Sequence, residues 1–232
     1  MIKVNDKAQR GFTLAETLVA LVVGMIMLLA IYSVVNMAQK STTGIERKVV
    51  AQQDARVALE IMALEIRMAS YSCWADSSIW VDPATGAPSS SPNARGIQEA
   101  TANSITIEMD IDDSNVIGDA GNEIIRYEYL SGETDQRITR KTTGAAQPFL
   151  GSSQSDPSSG SVRVINGSFG LPLFSYFDGT ETPIASPVPN DQLLNIRRIG
   201  IAIAIETIDK DEEKRTLIYG TSVIPKNHGI RY

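Results

Sequence analysis

The chain of 232 residues has a formal charge of −6, with 21 Lys and Arg against 27 Asp and Glu, and it holds one cysteine and one histidine. An acidic balance argues against sequence-independent nucleic-acid binding, which neutralises phosphates with Lys and Arg, so no nucleic-acid partner is expected. Cys73 stands alone, which excludes an intramolecular disulfide, and a buried small apolar role is expected for it.

The head from Met1 to Arg10 carries Lys3, Lys7 and Arg10 against Asp6. From Phe12 to Tyr32 there follow about 21 residues, or about 31 Å of helix, which matches a hydrocarbon core of about 30 Å. The positive head predicts a cytoplasmic N-terminus and a single span, with the long remainder outside the membrane. Within this segment Gly11-Phe12-Thr13-Leu14-Ala15-Glu16 precedes apolar residues from Leu18 to Val35 without further charge. A charge on a membrane helix costs about 2.5–3.5 kcal/mol at the bilayer centre and less near an end, so Glu16 calls for a partner. A secretory signal places its small cleavage residue after the apolar stretch. Here Gly11 precedes it, so cutting there removes only the head and leaves the ammonium of Phe12 about four residues from Glu16.

These residues resemble the N-terminus of the type IV pilin superfamily, whose precursors carry a short basic leader ending in Gly, then Phe-Thr-Leu-x-Glu and an apolar helix. The resemblance implies cleavage after Gly11 by a prepilin peptidase and N-methylation of Phe12. It also implies attraction between Glu16 and the terminal ammonium of a neighbouring subunit, a pairing that low dielectric strengthens. The chain then divides into a basic leader at 1–11, a transmembrane and assembly helix at 12–40, an amphipathic continuation at 41–70 and a β-rich globular domain at 71–232.

After the span, Val50, Val57, Ile61, Leu64 and Met68 draw one apolar stripe at helical spacing, opposite Glu46, Gln53, Glu60 and Arg67. That stripe is expected to pack on the domain, with a bend or fraying at Ser41-Thr42-Thr43-Gly44. The exit is expected at Tyr71-Ser72-Cys73-Trp74. Period-two alternation then predicts strands around Ile105–Met109, Ile125–Tyr129 and Ile199–Ile205, the last in a hairpin with Arg215–Val223 across a polar turn at Asp209–Lys214. Further strands are expected at Gln136–Lys141, Val162–Ile165 and Phe169–Phe177, the last an edge because of Pro172. Asp82–Gly96, Gly151–Gly160 and Asp178–Asn190 read as long exposed loops. The fold class is α+β, a long N-terminal helix packed by its second half on an antiparallel β-sheet domain, pilin-like.

Asp110, Asp112 and Asp113, with Asp119 and Glu123 following, form the one cluster with metal-ligand character. Hard oxygens suit calcium, but position six from Asp110 is Asn115 and position twelve is Gly121, so the EF-hand pattern fails at both anchors. A solvated acidic turn is the reading, with calcium the alternative, and no other cofactor is expected. Arg197-Arg198 and the group Arg137, Arg140 and Lys141 read as solvated strand ends. His228 reads as a surface or tail histidine. With no nucleophile pattern, phosphate loop or dinucleotide fingerprint, no enzymatic activity is expected.

Ala55-Arg56-Val57-Ala58-Leu59-Glu60-Ile61-Met62, Glu65 to Tyr71, Val164-Ile165-Asn166-Gly167 and Thr221 to Asn227 resemble PilW-type minor pilins and the related J-type pseudopilins of type II secretion. The resemblance implies an inner-membrane subunit with a periplasmic domain that helps initiate a pilus with other minor and major pilins, near its tip. A pseudopilin, or a membrane-anchored surface-binding module using the Ser/Pro/Gly loops, are the alternatives.

Overall fold

The computed structural model describes residues 11–73, 79–82, 85, 95–132, 136–151, 162–207 and 216–229, with the backbone alone at 43, 44 and 47. Two compact units emerge, Met1–Glu46 and Arg47–Tyr232. One helix, α1, runs Leu14–Arg67 and contributes to both. In the first unit its stretch Leu14–Thr42 is long and apolar enough to cross a membrane. The apolar side chains there have no protein cover: Leu18 is 59% exposed and Leu29 68%. The helix does not fray at 41–44. Thr42 donates its hydroxyl to the Ala38 carbonyl at 3.0 Å, which satisfies that group within the helix.

The second unit holds two antiparallel sheets where one was expected. The first is a meander of β1 (Ile97–Ala100), β2 (Ser104–Glu108), β3 (Ile124–Ser131), β4 (Gln136–Lys141) and β5 (Gln147–Leu150), in that order. The second has the order β10-β9-β7-β8, from β7 (Phe174–Phe177), β8 (Pro183–Ile184), β9 (Arg198–Thr207) and β10 (Thr216–Val223), with β6 (Val162–Val164) also pairing with β9. β9 and β10 form the expected hairpin, from Thr216 opposite Glu206 to Val223 opposite Ile199. Ile199, Ile201, Ile203 and Ile205 all face the core.

The expected helix stripe is corrected. Val57, Ile61 and Leu64 are 52%, 37% and 59% exposed, whereas Ala51, Ala55, Ala58, Leu59, Met62 and Ile66 are buried. The reason lies in how volume is shared. The sheets bring the bulk, with Tyr127, Tyr176 and Phe174 among the largest fully buried side chains, so the helix meets them on its alanine flank.

The expected strand over Phe169–Phe177 is also corrected. Asn166–Phe169 is a 3-10 turn ended by Gly170 in the left-handed region at φ 58°, and only Phe174–Phe177 is extended. Pro172 precedes β7, which pairs on both sides and is not an edge. Asp178–Asn190 is exposed over most of its length, as expected, but it holds the short strand β8. Asp178 Oδ1 accepts the N–H groups of Thr180 at 2.8 Å and Thr182 at 2.9 Å, closing the β7–β8 turn. Cys73 is exposed rather than buried. Residues 1–10 of the leader, Trp74, most of the loops at 82–96 and 151–160 and the turn at 209–214 lie outside the described residues.

Candidate assembly site

The site begins where α1 begins. Thr13 is the residue before the helix, and its hydroxyl accepts the Glu16 N–H at 3.3 Å. Glu16 Oε2 in turn accepts both the Thr13 N–H and the Thr13 hydroxyl at 2.9 Å. This reciprocal pair is a capping box, and the order Thr13-Leu14-Ala15-Glu16 is its sequence signature, a signal that charge and hydropathy alone do not reveal. A carboxylate in the first turn also suits the positive end of the helix dipole. Glu16 therefore has a local partner within the chain. Phe12 is 87% exposed, and no described residue lies within 4 Å of where a Cβ on Gly11 would stand, so none of them covers the Gly11–Phe12 junction.

The acidic cluster reorganises against expectation. Asp110 and Asp112 are joined by Glu123, not Asp113, with one oxygen from each within 4.8 Å of the others. Their oxygens already accept backbone amides: Asp110 from Ser114 and Asn115, Asp112 from Ser114, and Glu123 from Ile111, Gly118 and Ala120. Burial pushes the Glu123 carboxyl above its usual range. The arrangement closes a turn with carboxylates, and two of its three members are buried rather than solvated.

The basic clusters are held in place too. Arg140 forks onto Glu65 of α1 at 2.7 and 3.1 Å and reaches Asn122 at 2.9 Å, while Tyr127 donates to the same carboxylate at 2.5 Å. The Glu65 bond holds the Arg140 guanidinium above its usual pKa, and burial raises the Tyr127 phenol. Arg198 pairs with Glu181 and lies 3.8 Å over the Phe177 ring. Arg197 donates to the Ile196 carbonyl at 2.9 Å.

His228 is no surface residue. It is 3% exposed, with Nδ1 2.8 Å from the Ser70 hydroxyl and Nε2 2.8 Å from the Leu193 carbonyl. Burial lowers its pKa to about 4. The Ser70 oxygen also lies 2.7 Å from the Arg95 carbonyl, so this group of contacts ties the tail to the helix exit. Glu108, on the outward face of β2, is fully buried. Its Oε2 accepts Gln98 at 2.8 Å and the Val81 N–H at 3.3 Å, and Oε1 has no partner among the described residues. Burial raises its pKa to about 8. Beside it a cavity of about 650 Å³ is lined by Gln98, Thr106, Arg126, Lys141 and Gly144 among others.

Residues 6–32 match the family described as the prokaryotic N-terminal methylation motif. No curated protein and no solved structure matches the chain. The motif implies processing by a prepilin peptidase, and together with the apolar helix it points to membrane anchoring. On this segment, and on the long helix with its antiparallel β domain, the chain reads as a type IV pilin-like or pseudopilin precursor.

Proposed function

We propose that the chain is a PilW-like minor pilin, a structural subunit that helps initiate a type IV pilus together with other minor and major pilins. It is cleaved after Gly11, N-methylated at Phe12 and held in the inner membrane with its C-terminal domain in the periplasm. From there it passes into the fibre near the tip, where lipid around Leu18 to Val35 is replaced by neighbouring helices. Glu16 then exchanges its Thr13 bonds for the ammonium of a neighbouring N-terminus. The observation that carries this reading is the position of Glu16, a carboxylate at the head of a helix whose apolar side chains from Leu18 to Val35 are bare.

Glu16→Gln tests the pairing, because an amide oxygen preserves the capping box while the charge is lost. Incorporation into sheared filaments is expected to fall by about tenfold or more, the factor that about 1.4 kcal/mol of lost attraction gives. Membrane insertion and cleavage should persist, and mass spectrometry should find a methylated Phe12 at the new N-terminus. Normal incorporation of the variant would remove the pairing. A J-type pseudopilin of type II secretion is the nearest alternative, and genomic neighbours separate the two. The cavity beside Glu108 favours a surface-binding module as a reading of another class, which ligand binding in the absence of partner pilins would support.

A further inference from the structure

Among the described residues the sheets have several open edges, and all but one of these are blunted. β1 has four residues and an irregular register, and β5 has four residues with Pro148. β8 is two residues long with Pro183, and β6 is three residues long with Arg163. β10 differs: its eight residues, Thr216–Val223, contain no charge and no proline and keep an unbroken register with β9. Protein edges are ordinarily guarded by charge, proline, bulges or brevity, because a bare edge pairs with another strand.

The hydrogen-bond phase shows which groups are open. In β9 the Ala202 N–H donates to Leu173 beside β7, and the Ala204 carbonyl accepts from Ile165 beside β6. Even-numbered residues of β9 thus face β7 and β6, and odd-numbered ones face β10. With Ile203 opposite Tyr219, the odd residues of β10 bond to β9. The N–H and C=O groups of Thr216, Ile218, Gly220 and Ser222 point to the open side, and no described residue meets them.

Next to this edge lies a groove of about 510 Å³ between β10 and α1. Tyr219, Gly220 and Thr221 form one wall and Leu59, Glu60, Ala63 and Leu64 the other. Arg56 and Arg67 stand at the rim, the first 5.8 Å over the Tyr219 ring, and neither has a carboxylate partner among the described residues. Leu64, on the α1 wall of the groove, is 59% exposed.

We propose that β10 is a strand-addition site for an extended segment of a second protein. The segment's backbone bonds to Thr216, Ile218, Gly220 and Ser222, an inward apolar side chain enters the groove, and flanking carboxylates meet Arg56 and Arg67. Backbone pairing supplies attachment and the groove supplies choice, the division of labour of β-augmentation. This inference is independent of the Glu16 pairing.

The test places the photo-crosslinker benzoylphenylalanine at Ile218 of the full chain in its native cells. The expected adduct maps by mass spectrometry to an extended segment of another protein that alternates apolar residues and carries Asp or Glu beside them. Ser222→Pro removes an outward donor without touching the β9 ladder, so it should lower the adduct about tenfold while the melting temperature of the purified chain holds. Leu64→Glu, at an exposed position in the groove, should do the same and serves if Ser222→Pro fails to fold. No adduct, an adduct to a second copy of this chain or to a helical segment, or a yield indifferent to both variants would overturn the proposal. An adduct from a chain that never enters filaments removes the assembly reading alone, and incorporation without an adduct removes this one alone.

Discussion

Thr13 and Glu16 show how two roles can share one side chain. The carboxylate closes the first turn of α1 in the separate chain, and under the proposed function that same group is the one offered to a neighbour. The charge and its place in the apolar run were legible in the sequence; the capping box was equally present but answers to a different rule. Glu108 was not legible. Alternation in β2 marks Ser104, Thr106 and Glu108 as outward polar residues, yet all three are buried, and segment 79–82 reaches across with the Val81 N–H on Glu108. Coverage of that kind depends on residues far apart in sequence and leaves no period. Its consequence is measurable. The Glu108 pKa is raised from 4.5 to about 8, so the native state holds the proton more tightly than the unfolded one. The sign follows: the associated stability is fully present below pH 4.5 and is lost as pH rises through 8, with a slope approaching about 1.4 kcal/mol per pH unit. Glu108→Gln is expected to flatten this loss between pH 4.5 and 8 in urea unfolding curves, and an unchanged slope would show the carboxyl to be ionised when folded.

At the scale of elements, strong periods and the strand faces were read correctly, and the face of the helix was not. The alternations of β3, β4, β9 and β10 survive into the fold almost residue for residue. The shorter β1, β5 and β8 are held by their neighbours and lack a pattern of their own. For α1 the helical period was right, but the stripe of large side chains is the uncovered side. Hydrophobicity ranks residues by size, whereas a helix lying against two sheets already filled by aromatic rings needs small ones. Ala55→Leu should therefore overpack the interface and cost about 1–3 kcal/mol, although it adds apolar surface. Leu64→Ala should change stability by less than about 0.5 kcal/mol. Chemical denaturation measures both, and the reverse ranking would restore the original stripe. The acidic turn gives a further expectation. Because backbone amides already occupy the Asp110, Asp112 and Glu123 oxygens, chelation with EDTA should leave the melting temperature unchanged; a fall reversed by calcium would assign the cluster to the ion.

Over the whole molecule, the chain terminus shows the limit of reading by pattern. Asn227-His228-Gly229 looks like a polar tail, but the Lys226 N–H donates to Arg67 at 3.3 Å and His228 reaches Ser70, 158 residues earlier. Nothing local announces a contact of that span. The imidazole is kept neutral by burial, and Arg197 and Arg95 push its pKa the same way. With the pKa lowered from 6.5 to about 4, its contribution is present above pH 6.5 and is lost as pH falls toward 4. Thermal melts of the full chain should decline over that window, and His228→Gln should lessen the decline; equal slopes would place the acid sensitivity elsewhere. The His228 and Glu108 windows overlap between pH 4.5 and 6.5, where their opposite slopes offset one another, so together the two groups leave the domain most stable in that mildly acidic range.

From Leu18 to Val35 the rod offers hydrocarbon in all directions. A cylinder greasy all the way round has no bearing of its own, and spinning it about its long axis costs almost nothing. Each residue step turns a side chain by about 100°. Glu16 is thus the compass needle of that cylinder: the azimuth at which the rod faces its surroundings is written by one oxygen pair at its tip, and the grease behind it follows.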